Sequence, residues 1–387
     1  MKPNLLKYIH LLFGLSFSLN NAQIVQYSIE KPQDSIAEKK CFLKKIIHYF
    51  EESKIDKSNK KFDISFIGGP SYSVDTKLGL GLMASGLYRI DKENLTLAPS
   101  NVSIYTNFTT SGFFSVGIDN HTIFPNDQYR IDLDTYFAYM PNLYFGRGYE
   151  AGANEKSSKF DEYRLSFKAD FTTKVLPNTY VGATVTAKNI KGKNFEDSSL
   201  QPNESLSNTI IGGGYILSYD SRDFIPNPSK GILLKLEQSF YPKALGSIQS
   251  FNKIDVSARA YQQIWKGGIL AFDLNGIFNN GNTPWNMLSM LGGSRQMRGY
   301  YTGMYRDKKQ INSQIELRQK VYRRNGVVTW VGAGSVFDSF NHWDWKHVLP
   351  SYGIGYRWEF KKRVNVRIDY GFGKGQSGFY FNINEAF

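Results

Sequence analysis

The side chains best placed to do chemistry in this sequence are charged rather than nucleophilic. The stretch LGGSRQMRGYY, residues 291–301, sets Arg298 beside Gly299 and Tyr300, with Gly292 and Gly293 upstream. A guanidinium carries five donors in a planar fork and can grip a carboxylate by both oxygens. The glycines would let the chain reverse around it. A second charged motif, YDSRDFIPNPSKG from Tyr219 to Gly231, holds Asp220, Arg222 and Asp223, a trio able to pair locally. Pro226 and Pro228 end a strand there, and Gly231 permits the turn back.

Other candidates are weaker. His10, His48, His121, His342 and His347 are scattered, and the loop that joins His342, Asp344 and His347 is better explained by its tryptophans than by a metal. Neither a G-x-S-x-G elbow nor an H-E-x-x-H pair occurs. GGGY at 212–215 sits inside a strand pattern, where a glycine run means close packing or bending rather than phosphate binding. No catalytic residue, metal or cofactor is expected, and no enzyme. Cys41 is the one cysteine, so an internal disulfide is impossible; it is expected as an unpaired thiol on a helix.

The elements that must hold these residues follow a period of two. Tyr163, Leu165, Phe167, Ala169 and Phe171 alternate with Glu162, Arg164, Ser166, Lys168 and Asp170. Ile311, Ile315 and Leu317 face away from Asn312, Gln314, Glu316 and Arg318, and Val364, Val366, Ile368 and Tyr370 alternate with Asn365, Arg367 and Asp369. A sandwich core could not accept so many charges, because each unpaired buried one is costly. A membrane barrel, with apolar residues outward and polar ones in its lumen, can. Strand starts are predicted near 62, 78, 101, 112, 128, 160, 179, 208, 231, 252, 268, 310, 327, 348, 363 and 378, about sixteen strands. Long connections at 141–159, 191–206, 242–250, 281–309 and 339–347 alternate with tight turns at 176–178, 266–268, 323–326 and 360–363. Outer-membrane barrels show this asymmetry between outer loops and periplasmic turns.

The fold class is therefore all-β: a transmembrane antiparallel β-barrel of about 16 strands, preceded by an amphipathic helix. Residues 1–22 have the basic start and apolar centre of a signal peptide, with cleavage after Ala22. Residues 23–61 form a short periplasmic segment whose lysine-rich helix covers 35–54. Residues 62–387 form the barrel. The net charge of +13 on an exported chain points to outer-membrane lipids and lipopolysaccharide phosphates, not nucleic acid. In the last stretch, GFYFNINEAF, Phe379, Phe381, Ile383 and Phe387 are expected on one face.

Several of these motifs carry a resemblance. The stretch from Tyr219 to Pro242, through Asp220, Arg222, Asp223, Pro228 and Gly231, resembles a barrel turn of the BamA/TamA superfamily (bacterial surface antigen domain). MRGY at 297–300 is similar to that family's sixth outer loop, and the closing strand ending in Phe387 to its C-terminal assembly signal. The resemblance covers roughly 62–387. It implies that the loop folds into the lumen, that Arg298 meets Glu316 on the following strand, and that a second acid lies on the strand after. There TWVGAGSVFD has Gly332 where an aspartate is usual, leaving Asp338 as a substitute if the loop sits higher. Family members that insert or export proteins carry POTRA domains, for which residues 23–61 are too short. The resemblance implies outer-membrane protein insertion or export, or an accessory role in it. The partners it implies are the barrel assembly machinery, client outer-membrane proteins or a POTRA-bearing protein. The alternative is a structural or pore-like barrel. Arg298 fits both, either propping a seam between first and last strands that opens, or simply stiffening the barrel.

Overall fold

A computed structural model describes residues 62–91, 100–225, 227–361 and 363–387. The expected signal peptide, the helix over 35–54, Cys41 and Pro226 lie outside the described residues.

The strands are β1 (Phe62–Ser73), β2 (Lys77–Tyr88), β3 (Ser100–Thr109), β4 (Phe114–Ile123), β5 (Tyr129–Tyr144) and β6 (Ser158–Leu176). They continue with β7 (Thr179–Lys193), β8 (Ser207–Asp220), β9 (Gly231–Tyr241), β10 (Phe251–Trp265) and β11 (Gly268–Gly281). After a two-stranded ribbon, β12 (Ser289–Leu291) and β13 (Tyr305–Asp307), come β14 (Lys309–Tyr322), β15 (Asn325–Phe337), β16 (Leu349–Lys361), β17 (Val364–Gly373) and β18 (Gln376–Ile383). All but β12 and β13 close into one antiparallel barrel in chain order, with β1 meeting β18. Each barrel strand starts within two residues of its predicted position. The long connections are shorter than expected where a strand runs on, β5 to Tyr144 and β7 to Lys193.

The alternation places side chains as a membrane wall requires. On β6, Leu165, Phe167 and Phe171 are 56%, 40% and 48% exposed on the outside, while Glu162, Ser166 and Asp170 are buried in the lumen. A belt of such large exposed apolar residues would be an aggregation surface in water and is a lipid-facing surface in a bilayer. Many of the lumenal charges pair across strands: Lys168 Nζ reaches Glu237 at 2.6 Å, and Arg259 Nε reaches Asp273 at 2.9 Å. Glycines sharpen the wall where strands crowd. A Cβ on Gly212 or Gly214 would stand 2.1 Å from the carbonyl oxygen of Phe240 or 1.9 Å from that of Gln238, which accounts for the GGGY run.

One junction differs from the rest. Other neighbouring barrel strands share eight or more registered pairs, as in β17–β18, β3–β4 and β8–β9. Between β1 and β18 there is a single one, Tyr72 with Phe381. Side chains add a Tyr72–Phe379 ring contact at 5.5 Å. The seam between first and last strands is thus the weakly paired junction of the barrel, and its one registered pair lies at Tyr72, near the end of β1.

Candidate functional site

The connection between β11 and β14, loop 6, turns back into the barrel. Its β12–β13 ribbon and its tip pack Leu291, Met297, Tyr300, Met304 and Tyr305 against Val336 of β15 and Leu349 of β16. The tip lies flat on β17. Gly299 has φ +113, and a Cβ there would meet the Phe372 carbonyl carbon at 2.6 Å. Opposite it, a Cβ on Gly371 would meet the Arg298 carbonyl carbon at 2.7 Å. The glycine beside Arg298 is thus required both by backbone conformation and by close approach.

That approach delivers Arg298 to a closed circuit of charge. Its guanidinium donates from Nη2 to Glu316 Oε2 at 2.5 Å and from Nη1 to Asp369 Oδ2 at 2.7 Å. Glu316 Oε1 accepts Arg318 Nε at 2.8 Å, and Asp369 Oδ1 accepts Arg357 Nη1 at 2.6 Å. Glu385 closes the circuit, accepting Arg357 Nε at 2.7 Å and lying 3.9 Å from Arg318 Nε. Three arginines and three carboxylates therefore alternate around a ring, with side chains no more than 7% exposed. The Trp330 ring lies 3.6 Å from the Arg298 guanidinium carbon, and Ser351 Oγ donates to the Arg298 carbonyl at 2.7 Å. Alternation lets each buried charge face two of opposite sign, which offsets desolvation better than isolated pairs would.

The Arg298–Glu316 contact lies where the family resemblance implied. The second acid does not: it is Asp369 on β17, not a residue of β15. Gly332 has no room to be replaced by an acid, since a Cβ there would meet the Ser313 carbonyl oxygen at 2.7 Å. Asp338 stays at the outer rim, 2.8 Å from His342 Nδ1. Asp369 and Arg318 were legible as lumenal by alternation, but periodicity does not say which lumenal charges meet. Arg357, Glu385 and Trp330 were not singled out.

Past Arg298 the tip clasps both sides of the seam. Thr302 donates its N–H to Asp75 Oδ1 at 2.9 Å and its hydroxyl to Asp75 Oδ2 at 2.6 Å, in the β1–β2 turn. On the other side, Gly299 N–H donates to the Tyr380 hydroxyl at 2.9 Å, and Tyr301 N–H to Gln376 Oε1 at 3.3 Å, both on β18. The Tyr300 hydroxyl donates to the Pro350 carbonyl and accepts Lys374 N–H, each at 2.7 Å. Burial pushes the Asp75 carboxyl above its ordinary range, against the pull of Thr302 and Lys77.

The other predicted residues distribute as follows. Arg222 forks onto Asp220 at 2.9 and 2.8 Å, and Gly231 has φ +107. Pro228 lies in the same turn, buried. Asp223 does not join that pair. It accepts Ser229 N–H and hydroxyl and also Arg363 Nη2 at 2.8 Å, from the β16–β17 turn, so the β8–β9 turn reaches across the periplasmic mouth. Phe379, Phe381 and Ile383 belong to β18. Phe387 does not share their face: the strand stops at Ile383, Asn384 takes φ +69, and Phe387 is buried among Tyr261, Ala271 and Ala386. His347 contacts Glu150 and His342 contacts Asp338; no group of three metal-ligating side chains occurs among the described residues.

No curated protein sequence matches the chain. Among solved structures, BamA from Haemophilus ducreyi lacking POTRA domains 1–3 aligns with a TM-score of 0.57 at 13% identity, over 84% of this chain and 70% of that one. CdiB from Acinetobacter baumannii gives 0.58 at 11%, over 84% of this chain and 60% of that one. CdiB from Escherichia coli gives 0.55 at 12%, over 89% and 70%. At such identities the likeness is one of fold, and this chain spans under two thirds of the Acinetobacter protein. The model of the Omp85 superfamily domain matches residues 100–387, which include loop 6, the charge ring and β18. The chain belongs to the Omp85 superfamily.

Proposed function

We propose that this barrel works in the cell outer membrane in the insertion or export of other outer-membrane proteins, with the β1–β18 seam as its working edge. The observation that carries the reading is the seam itself: one registered pair where other neighbouring strands have eight or more. An incompletely paired strand edge is a template for another strand. Loop 6 supports the reading, since its tip bonds to Asp75 on one side and to Gln376 and Tyr380 on the other. The role is non-enzymatic: strand pairing, not a covalent step, would do the work. Barrel assembly machinery, client outer-membrane proteins and a POTRA-bearing protein are the partners this role calls for, with lipid and lipopolysaccharide around the wall.

A cysteine pair at Tyr72 and Phe381 tests the reading. In cells depending on this chain, oxidation is expected to lower the levels of other outer-membrane proteins, and reduction to restore them. Unchanged levels with the seam fully cross-linked would sink it. The second reading, a structural barrel, is favoured by the filled lumen, where loop 6 and the charge ring occupy the path a solute would take. It predicts that the locked barrel keeps every function the free one has.

A further inference from the structure

A cavity of about 180 Å³ opens at the periplasmic mouth, where the β8–β9, β14–β15 and β16–β17 turns meet. Its lining holds five cations, Arg318, Lys320, Arg324, Arg357 and Arg363, against two carboxylates, Glu359 and Glu385. Both carboxylates are engaged. Glu359 Oε2 accepts Lys320 Nζ at 3.0 Å, and Glu385 accepts Arg357 Nε at 2.7 Å and Asn365 Nδ2 at 2.6 Å. Arg363 is held by Asp223 at 2.8 Å. Arg324, exposed in the β14–β15 turn, makes no ion pair among the described residues.

The buried members of the lining have donors left over. Arg318 is 6% exposed and Arg357 4%. Arg318 donates Nε to Glu316 and Nη2 to the Phe387 main-chain oxygen, each at 2.8 Å. Arg357 donates Nε to Glu385 and Nη1 to Asp369 Oδ1 at 2.6 Å. Arg318 Nη1 and Arg357 Nη2 have no hydrogen-bond partner among the described residues. A buried donor left unpaired is costly, and native structures satisfy nearly all of them with protein, water or an ion. Water would accept from these donors but would leave the excess of cations unbalanced. An anion does both.

The donors come from three elements, β14, β16 and the β14–β15 turn, and so from different sides. A planar carboxylate suits one guanidinium fork, whereas a phosphate presents acceptor oxygens in several directions. About 10–15 Å³ of such free space holds one water, so a phosphate with attendant water fits.

We propose that this cavity binds a phosphate group, carried either by free inorganic phosphate or by a phospholipid headgroup of the inner leaflet. Arg318 and Arg357 supply the buried donors and Arg324 the exposed one. Because Arg318 and Arg357 also belong to the charge ring, a bound phosphate ties that ring to the periplasmic turns. The lining includes no residue of β1 or β18, so the site stands or falls apart from the seam.

The full chain, folded in maltoside detergent, is titrated with inorganic phosphate at constant ionic strength, with chloride making up the balance. Calorimetry reads binding, and heat-modified gel mobility reads the temperature at which the barrel unfolds. Saturable binding at one site and a raised unfolding temperature are expected. Arg324→Ala should weaken binding several-fold, as should Asn227→Asp, which sets a carboxylate in the lining without changing its shape. Arg323→Ala is the control: that guanidinium lies 5.1 Å from the Tyr322 ring, outside the lining, and its loss should leave binding unchanged. The same titration with water-soluble dihexanoyl phosphatidylglycerol separates the two sources. Binding tighter than that of inorganic phosphate marks the lipid headgroup as the ligand, and weaker binding marks the free ion. Saturation by neither, or equal losses in Arg323→Ala and Arg324→Ala, would overturn the proposal.

Discussion

Arg298 and Glu385 do not touch, yet each is held by the same two bridges, Glu316–Arg318 on one side and Asp369–Arg357 on the other. A loop from the outer face and a tail at the periplasmic end therefore share one electrostatic unit. Arg367, also buried, stands 3.5 Å from Asp369 Oδ2 beside the ring, so four guanidiniums meet three carboxylates there.

The first consequence concerns Arg298→Ala. It takes one of two bridging guanidiniums from Glu316, which keeps Arg318, and one from Asp369, which keeps Arg357, and breaking a buried pair in this way costs about 3–5 kcal/mol. Folding in detergent should show a correspondingly lower urea midpoint, and loop 6 should become sensitive to protease. Arg298→Lys should rescue little, because one ammonium cannot reach both carboxylates in the planar fork geometry that the arginine uses.

Gly371→Ala separates the loop from the wall without altering any charge. The new methyl would collide with the Arg298 main chain at 2.7 Å, where backbone rather than a flexible side-chain end must yield. The expected result is a folded barrel, judged by heat-modified gel mobility, with loop 6 newly open to protease. Equal protection of loop 6 in both proteins would contradict the close packing described above.

Asp75 and Thr302 form the clasp across the seam, and its pH dependence has a definite sign. Burial raises the Asp75 carboxyl above its unfolded value of about 3.9. The clasped state therefore binds more protons, and the clasp tightens as pH falls through the raised value. Asp75→Asn should hold loop 6 as well as the parent at neutral pH and should abolish this dependence, whereas Asp75→Ala should loosen the loop at every pH. A double-mutant cycle with Thr302→Val, read by protease protection of loop 6, should give a coupling of about 1.5–3 kcal/mol, as for hydrogen bonds to a charged group.

Most of the wall was legible because a barrel strand carries its own instruction: outward Leu165 and Phe167 and inward Glu162 and Ser166 are fixed by a period of two wherever the strand lies. The site was legible only in part, because it is built from contacts across the lumen. Arg298 announced itself through the glycines that its close approach demands. Its partner Asp369 is 71 residues away on β17, and nothing in local spacing distinguishes it from other lumenal charges. Phe387 was misassigned for a related reason. Its alternation fits a strand, but the cleft of Tyr261, Ala271 and Arg318 that holds it comes from three distant strands.

The final prediction concerns the turn that spans the periplasmic mouth. Burial alone would raise the Asp223 carboxyl, but its bonds to Ser229, Lys230 and Arg363 outweigh that and hold it well below the ordinary carboxylate range. The sign is opposite to that of Asp75. The folded state binds fewer protons, so the contribution is fully present above the unfolded value of about 3.9 and is lost as pH falls through the depressed folded value. Asp223→Asn and Arg363→Ala should each free the β8–β9 turn at neutral pH, and each should flatten the acid limb of turn opening. A spectroscopic probe attached at Ile225, which is 53% exposed, would report that motion. A parent protein whose turn stays equally closed from neutral pH to about pH 2 would show that the Asp223–Arg363 bond does not hold it.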